Sequence, residues 1–207
     1  MSRKFKTGRR GVRSVGGMNE IHTHLTVCAA EASRVARAVT AEQLGTPSVC
    51  ADWTVRELAN HLVLYSAHGL EHRALRTELP EETVQRDFAG EDHWAAAYRT
   101  QLDRALAAWE SPEAWEGEVD LGGSGMPAAE IAAMLVEELA LHGWDLARST
   151  GQDFTLPEGT AVYLLGVVER YAEMYRQYEG FAAVVDVPGD APAFDRALAL
   201  SGRNPKN

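Results

Sequence analysis

Glu138 and His142 stand four residues apart in Met134–Arg148, the stretch MLVEELALHGWDLAR. On a helix that spacing places both side chains on one side, about 40° apart around the axis. Asp145 follows three residues later, and Ile131, Met134, Leu135 and Leu141 share the same side. A carboxylate and an imidazole set in an apolar stripe lose hydration and require a compensating partner. A divalent metal ion is one such partner. Glu-x-x-x-His alone is weak, because it also occurs as a plain charge pair on solvated helices. Its place on an apolar face strengthens it.

A third ligand type is offered by His61, well upstream. Two histidines and one carboxylate leave an open position on zinc, the arrangement of a catalytic rather than a structural site. Taken alone, His61 is more simply read as a hydrogen-bonded packing residue. Tyr65, His68 and His72 fall on the same strip as His61, within roughly one sixth of a turn. His68 and His72 form an i, i+4 pair, for which the simpler reading is the solvated outer end of the helix. Asp145 either orients His142 or pairs with a neighbour such as Arg148. Trp53 and Trp144 flank the ligand-bearing helices and read first as core packing. Cys50 precedes a helix, where a thiol pKa can fall, but a small buried hydrophobe is the simpler role. His22 and His24 point in different directions on a helix and read as surface residues. No Ser-His-Asp order, Gly-rich phosphate loop or CxxC is present.

These groups need a scaffold. The chain has 207 residues, 45% hydrophobic and 24% charged, enough for one core without disulfide staples. Its two cysteines, Cys28 and Cys50, and the lack of a secretory signal or apolar span predict free thiols, no membrane partner and a cytoplasmic setting. The formal charge is −10, yet residues 1–17 carry six basic groups and no acid. Without them 14 basic groups face 30 acidic ones, a balance of −16, which argues against nucleic acid as the main partner.

Helical periodicity predicts helices over 20–39, from Thr54 into the seventies, 92–109, 127–149 and 159–178. Thr54 followed by Glu57 is a capping-box pattern that sets the second start. Residues 40–53 and 79–90 read as connections, and 118–121 as briefly extended. Residues 122–127, GGSGMP, read as a flexible turn with Pro127 opening the next helix. Residues 181–187 are apolar and β-branched, which predicts a short strand, and 193–200 predict a last short helix. The fold expected is all-α: a four-helix bundle with a short C-terminal helical extension and a small strand.

Three stretches carry a family resemblance. CADWTVRELANHLV resembles the second-helix motif of the mycothiol-dependent maleylpyruvate isomerase family, within the DinB-like metal-binding bundle superfamily. EELALHGWDLARSTGQ resembles that family's fourth-helix motif, and VPGDAPAFDRALALSGRNP the ending of a large actinobacterial branch. They occur in the expected order across most of residues 20–205. The resemblance implies a DinB-like bundle over 18–150 and a C-terminal helical extension over 151–207 packed on it. Residues 1–17 match nothing in the family and are expected to be a disordered basic extension.

The resemblance also implies a ligand set of His61, Glu138 and His142, the last two from the fourth helix. Asp145, Trp53, Trp144, Tyr65 and His68 are then expected to orient the ligands or line a pocket. His68 and His72 do not fall on the family's ligand positions. Zinc is the expected metal and mycothiol the expected thiol cosubstrate. The expected function is activation of that thiol for transfer to, or isomerisation of, a small electrophile by a monomer or homodimer. A metal-dependent hydrolase and a non-catalytic metal- or ligand-binding bundle are the alternatives. The resemblance implies a shorter C-terminal extension than in the full isomerase, so it speaks for the bundle before it speaks for maleylpyruvate.

Overall fold

The structure is a computed structural model that describes residues 15–120 and 125–206. The expected basic extension therefore lies outside the described residues up to position 14, while positions 15–17 already belong to the first helix. Helix α1 (Val15–Ala38) begins five residues earlier than its periodicity suggests. A connection with one 3-10 turn, Gln43–Gly45, leads to α2 (Val55–Val63).

The capping box is present as read. Thr54 Oγ1 accepts from the Glu57 N–H at 3.3 Å, and the Thr54 N–H donates to Glu57 Oε2 at 2.7 Å. Thr54→Ala is expected to lower stability by about 1 kcal/mol in urea unfolding, because it leaves the Glu57 N–H at the helix end without its side-chain acceptor.

The second helix is not regular. α2 passes without a break into a π-helical turn, Leu64–His68, and then into α3 (Gly69–Leu75). The Ser66 hydroxyl donates to the Leu62 carbonyl and also meets the Tyr98 hydroxyl at 2.8 Å, tying this turn to the third long helix. A π turn inserts an extra residue, and each residue is about 100° of rotation. Everything after Ser66 is thereby turned against the register that a regular helix predicts.

The connection beyond α3 holds the single turn α4 (Glu81–Val84) and is fastened to α2. Asp87 accepts from Arg56 and from Asn60 Nδ2, and Asn60 Oδ1 accepts from the Ala89 N–H at 2.8 Å. α5 (Trp94–Ala108) follows, with Trp109 fully buried and donating Nε1–H to the Leu70 carbonyl at 2.9 Å. A two-stranded antiparallel hairpin, β1 (Glu118–Asp120) with β2 (Gly125–Pro127), leads into α6 (Ala128–Ser149). α7 (Glu158–Gln177) and α8 (Ala193–Leu200) end the chain.

Four long rods, α1, α2 with α3, α5 and α6, form the bundle. α6 is its central helix, packed by α1, α2 and α7 and buried on nearly every side. A helix buried all round is apolar all round, and the buried residues of α6 include Ile131, Val136, Leu139 and Leu146. The core runs on from α1 Leu25 to α7 Leu164 and α8 Leu198, so the C-terminal helices share it. Among the described residues no helix is long and apolar enough to cross a membrane.

Two expectations are corrected. Residues 181–187 form no strand; one bond, from the Val185 N–H to the Ala199 carbonyl, lays this apolar run against the end of α8. The small sheet lies instead at β1 and β2, of which only the first was legible. His24 is not a surface residue. It is 8% exposed, meets Thr160 Oγ1 at 3.0 Å and stacks on Tyr163, joining α1 to α7.

Candidate metal centre

α2 and α6 face each other where His61, Glu138 and His142 project. One ligand-type atom from each lies within 4.8 Å of the others. His61 Nε2 is 3.0 Å from Glu138 Oε1, and His142 Nε2 is 3.8 Å from Glu138 Oε2. A tetrahedral zinc ion with bonds of about 2.0–2.1 Å sets its ligands roughly 3.3–3.5 Å apart, close to both spacings.

The donor set fits a cation on a second ground. His61 Nε2 and Glu138 Oε1 are buried and 3.0 Å apart, a charge contact in which neither atom makes a well-aligned hydrogen bond. A buried polar atom left unpaired is costly, and a cation between the two removes the cost. Burial pushes the Glu138 carboxyl up, but the His142 and His61 rings outweigh it and hold it below the usual carboxylate range.

The groups behind the trio are fixed by the C-terminal tail. His142 Nδ1 is 3.0 Å from Asp145 Oδ2, which directs the opposite nitrogen at Glu138. Asp145 is 2% exposed and takes two bonds from Arg203, from Nε at 2.8 Å and from Nη2 at 2.7 Å. Burial pushes the Asp145 carboxyl up, yet Arg203 and His142 hold it far below the usual range. Arg203 reaches it because Gly202 turns the chain with φ +84°, its α-carbon face lying against Ala182 where a Cβ would sit 2.7 Å away. A carboxylate that fixes the far nitrogen of a ligand-type histidine is the usual second layer of a metal site.

Two cavities open on the trio. One, of about 190 Å³, is lined by His61, Tyr65, Arg73, Met134, Glu138 and Tyr175 among others. The second, of about 200 Å³, touches His61, Glu138 and His142 and reaches Glu137, Phe181 and Arg203. Both cavities reach His61 and Glu138, and the second also reaches His142.

The remaining expected residues separate. Trp53 lies 4.9 Å, centroid to centroid, from the His61 ring and 6.4 Å from that of His142, and Tyr65 lies 4.6 Å from His61. Both flank the centre. Trp144 does not: it is buried beside Arg148, whose guanidinium sits 5.8 Å over its ring. His68 is also elsewhere. It stacks on Phe88 at 5.1 Å and lines a separate cavity, because the π turn rotates it off the His61 strip. His72 meets Thr77 Oγ1 at 2.8 Å, and the rotation brings Arg73 to the cavity in its place.

Cys50 lies on the far side of His142, its Sγ 3.5 Å from Asp145 Oδ2. Burial pushes its thiol up, and His142 offsets this only in part. Cys28 is fully buried and pushed up to about 12. Both are free thiols. Iodoacetamide at neutral pH is expected to leave Cys28 unmodified and to label Cys50 more slowly than free cysteine, read by intact mass.

Sequence reasoning missed Glu137, Arg203 and Tyr175. Glu137 is 2% exposed with both oxygens unpaired; burial, reinforced by Glu138, pushes its carboxyl up to about 8. It projects about 100° away from Glu138 on the same helix, so the stripe that reveals one hides the other. Arg203 stands 58 residues from its partner, and no spacing rule links them.

A helical bundle that turns two imidazoles and a carboxylate toward shared cavities belongs to the class of bundle proteins built around one small polar centre. Residues 25–147 match the model of the mycothiol maleylpyruvate isomerase N-terminal domain, which is more than half of the chain. The chain belongs to that family. It is 28% identical over 169 residues to the uncharacterized proteins MT0763 and Rv0738 of two Mycobacterium tuberculosis strains, covering 80% of this chain and 87% of each relative. Its fold is similar to the crystal structure of the mycothiol-dependent maleylpyruvate isomerase, with TM-score 0.54 and 19% identity over 84% of this chain and 78% of the other. A histidine-to-alanine mutant of that isomerase gives TM-score 0.51 at 20% identity, over 76% of this chain and 72% of the other.

Proposed function

We propose that this chain is a metal-dependent thiol enzyme, with His61, Glu138 and His142 as ligands of a divalent ion, zinc by the chemistry of the donors. The observation that carries the reading is the convergence of three ligand atoms of which two, His61 Nε2 and Glu138 Oε1, are buried without a hydrogen bond. The ion, when bound, would stabilise a small thiol as its thiolate, the nucleophilic form. Membership of the family favours mycothiol as that thiol.

The chain's own residues prepare the reaction. Asp145 keeps the Nδ1 side of His142 occupied so that Nε2 faces Glu138. Arg203 keeps Asp145 ionised and in place. Trp53 and Tyr65 hold the His61 ring from two sides. The two cavities that Glu138 lines offer room for the thiol and for an electrophile. This supports addition of the thiol to a small electrophile, ending in transfer or, after elimination, in isomerisation. The openness of the centre and the distance of His68 from it speak for catalysis over sequestration.

Purified protein is expected to consume an activated alkene only when zinc and mycothiol are both present. Turnover that is indifferent to thiol, or hydrolysis of an ester at equal rate without it, would refute the thiol reading.

A further inference from the structure

The π turn exchanges His72 for Arg73 on the face that meets the metal centre, and this gives the first cavity a charge. Arg73 is partly buried there beside Tyr65, Ile131, Met134, Leu135 and Tyr175. Among the described residues its guanidinium makes no ion pair and no hydrogen bond, in contrast to Arg203, Arg104 and Arg56. Burial lowers its pKa, and the negative charge it senses first is that of Glu138, a residue assigned to the metal. A desolvated guanidinium without a counter-ion is costly and is relieved by an anion that brings hydrogen-bond acceptors.

The backbone makes room for this side chain. A Cβ on Gly69 would stand 2.6 Å from Arg73 Nη1. Glycine inside a helix costs roughly 0.5–1 kcal/mol relative to alanine, and here its missing methyl is what lets the guanidinium fold back over the turn. The rest of the wall is apolar: Ile131, Met134 and Leu135 come from α6.

We propose that Arg73 makes this cavity the binding site of an apolar monocarboxylate, held by its carboxylate on the guanidinium with its hydrocarbon body against α6. The inference rests on the reading of the adjacent trio as the reaction centre, and it names the class of electrophile: an unsaturated carboxylic acid with an apolar body. A compact dianion fits less well, because its second carboxylate would meet Glu138 or the apolar wall.

The test is isothermal titration calorimetry of the purified full-length protein with 4-phenylbutanoate, 4-phenylbutanamide and maleate, with and without added zinc. The expected result is that the acid binds at least roughly tenfold more tightly than its amide. Arg73→Met should erase that difference while the amide still binds, which shows that the cavity is still formed. Arg73→Lys should retain part of the preference. Gly69→Ala, which pushes the guanidinium aside, should lose part of it. Equal binding of acid and amide by the unaltered protein would overturn the proposal. So would tighter binding of maleate, or a preference for the acid that survives Arg73→Met and vanishes without zinc, which would put the carboxylate on the metal. A preference that depends on Arg73 in a protein showing no thiol-dependent turnover would uphold the subsite and refute the proposed reaction.

Discussion

Asp145→Ala is expected to cost about 3–5 kcal/mol of folding stability in urea unfolding. The reason is what it leaves behind. The Arg203 side chain is 14% exposed and gives two hydrogen bonds to this one carboxylate. Without Asp145 a guanidinium stays in the interior with no counter-ion, and the Cys50 and His142 groups lose a shared acceptor. Asp145→Asn keeps the shape and loses the charge, so a smaller loss is expected, with zinc affinity falling about 10–100-fold as His142 loses its orienting carboxylate. Arg203→Met should be milder still, because it removes the buried cation and leaves Asp145 bonded to His142. The order Ala, then Asn, then Arg203→Met is the signature of a buried pair. A loss below about 1 kcal/mol for Asp145→Ala would mean that water reaches the pair and screens it.

The second large effect is on chemistry rather than on folding. Glu138→Ala and His61→Ala are each expected to lower thiol-dependent turnover by at least about a hundredfold, since a metal ion supplies several kcal/mol of charge stabilisation. Neither should unfold the protein. Both side chains line open cavities, and their facing atoms, His61 Nε2 and Glu138 Oε1, make no hydrogen bond to lose. Circular dichroism unchanged alongside lost turnover would separate this from a structural effect. Turnover within a few fold of the unaltered protein would remove these residues from the reaction.

Much of this arrangement is legible in the sequence. The Thr54–Glu57 capping box fixed the start of α2, and the 3.6-residue apolar rhythm placed every long helix. His61, Glu138 and His142 could be put side by side because the family likeness supplied the partner that spacing alone could not. What stayed hidden has physical causes. One extra residue in the turn Leu64–His68 moved His68 to Phe88 and brought Arg73 to the cavity, and side-chain patterning carries no sign of a π turn. Asp145 offered a near partner in Arg148, but the tail doubles back at Gly202 and Arg203 arrives from a distance. The apolar, β-branched run at 181–187 has the composition of a strand but, among the described residues, no neighbouring strand to pair with, and it lies against α8 instead.

The central claim is that His61, Glu138 and His142 together hold a metal ion. Elemental analysis of the protein, loaded with zinc and dialysed against metal-free buffer, tests it most directly. One zinc per chain should be retained, and none by His61→Ala folded to the same circular dichroism spectrum. A chain that retains no divalent metal, or a His61→Ala variant that retains as much as the unaltered protein, would contradict it.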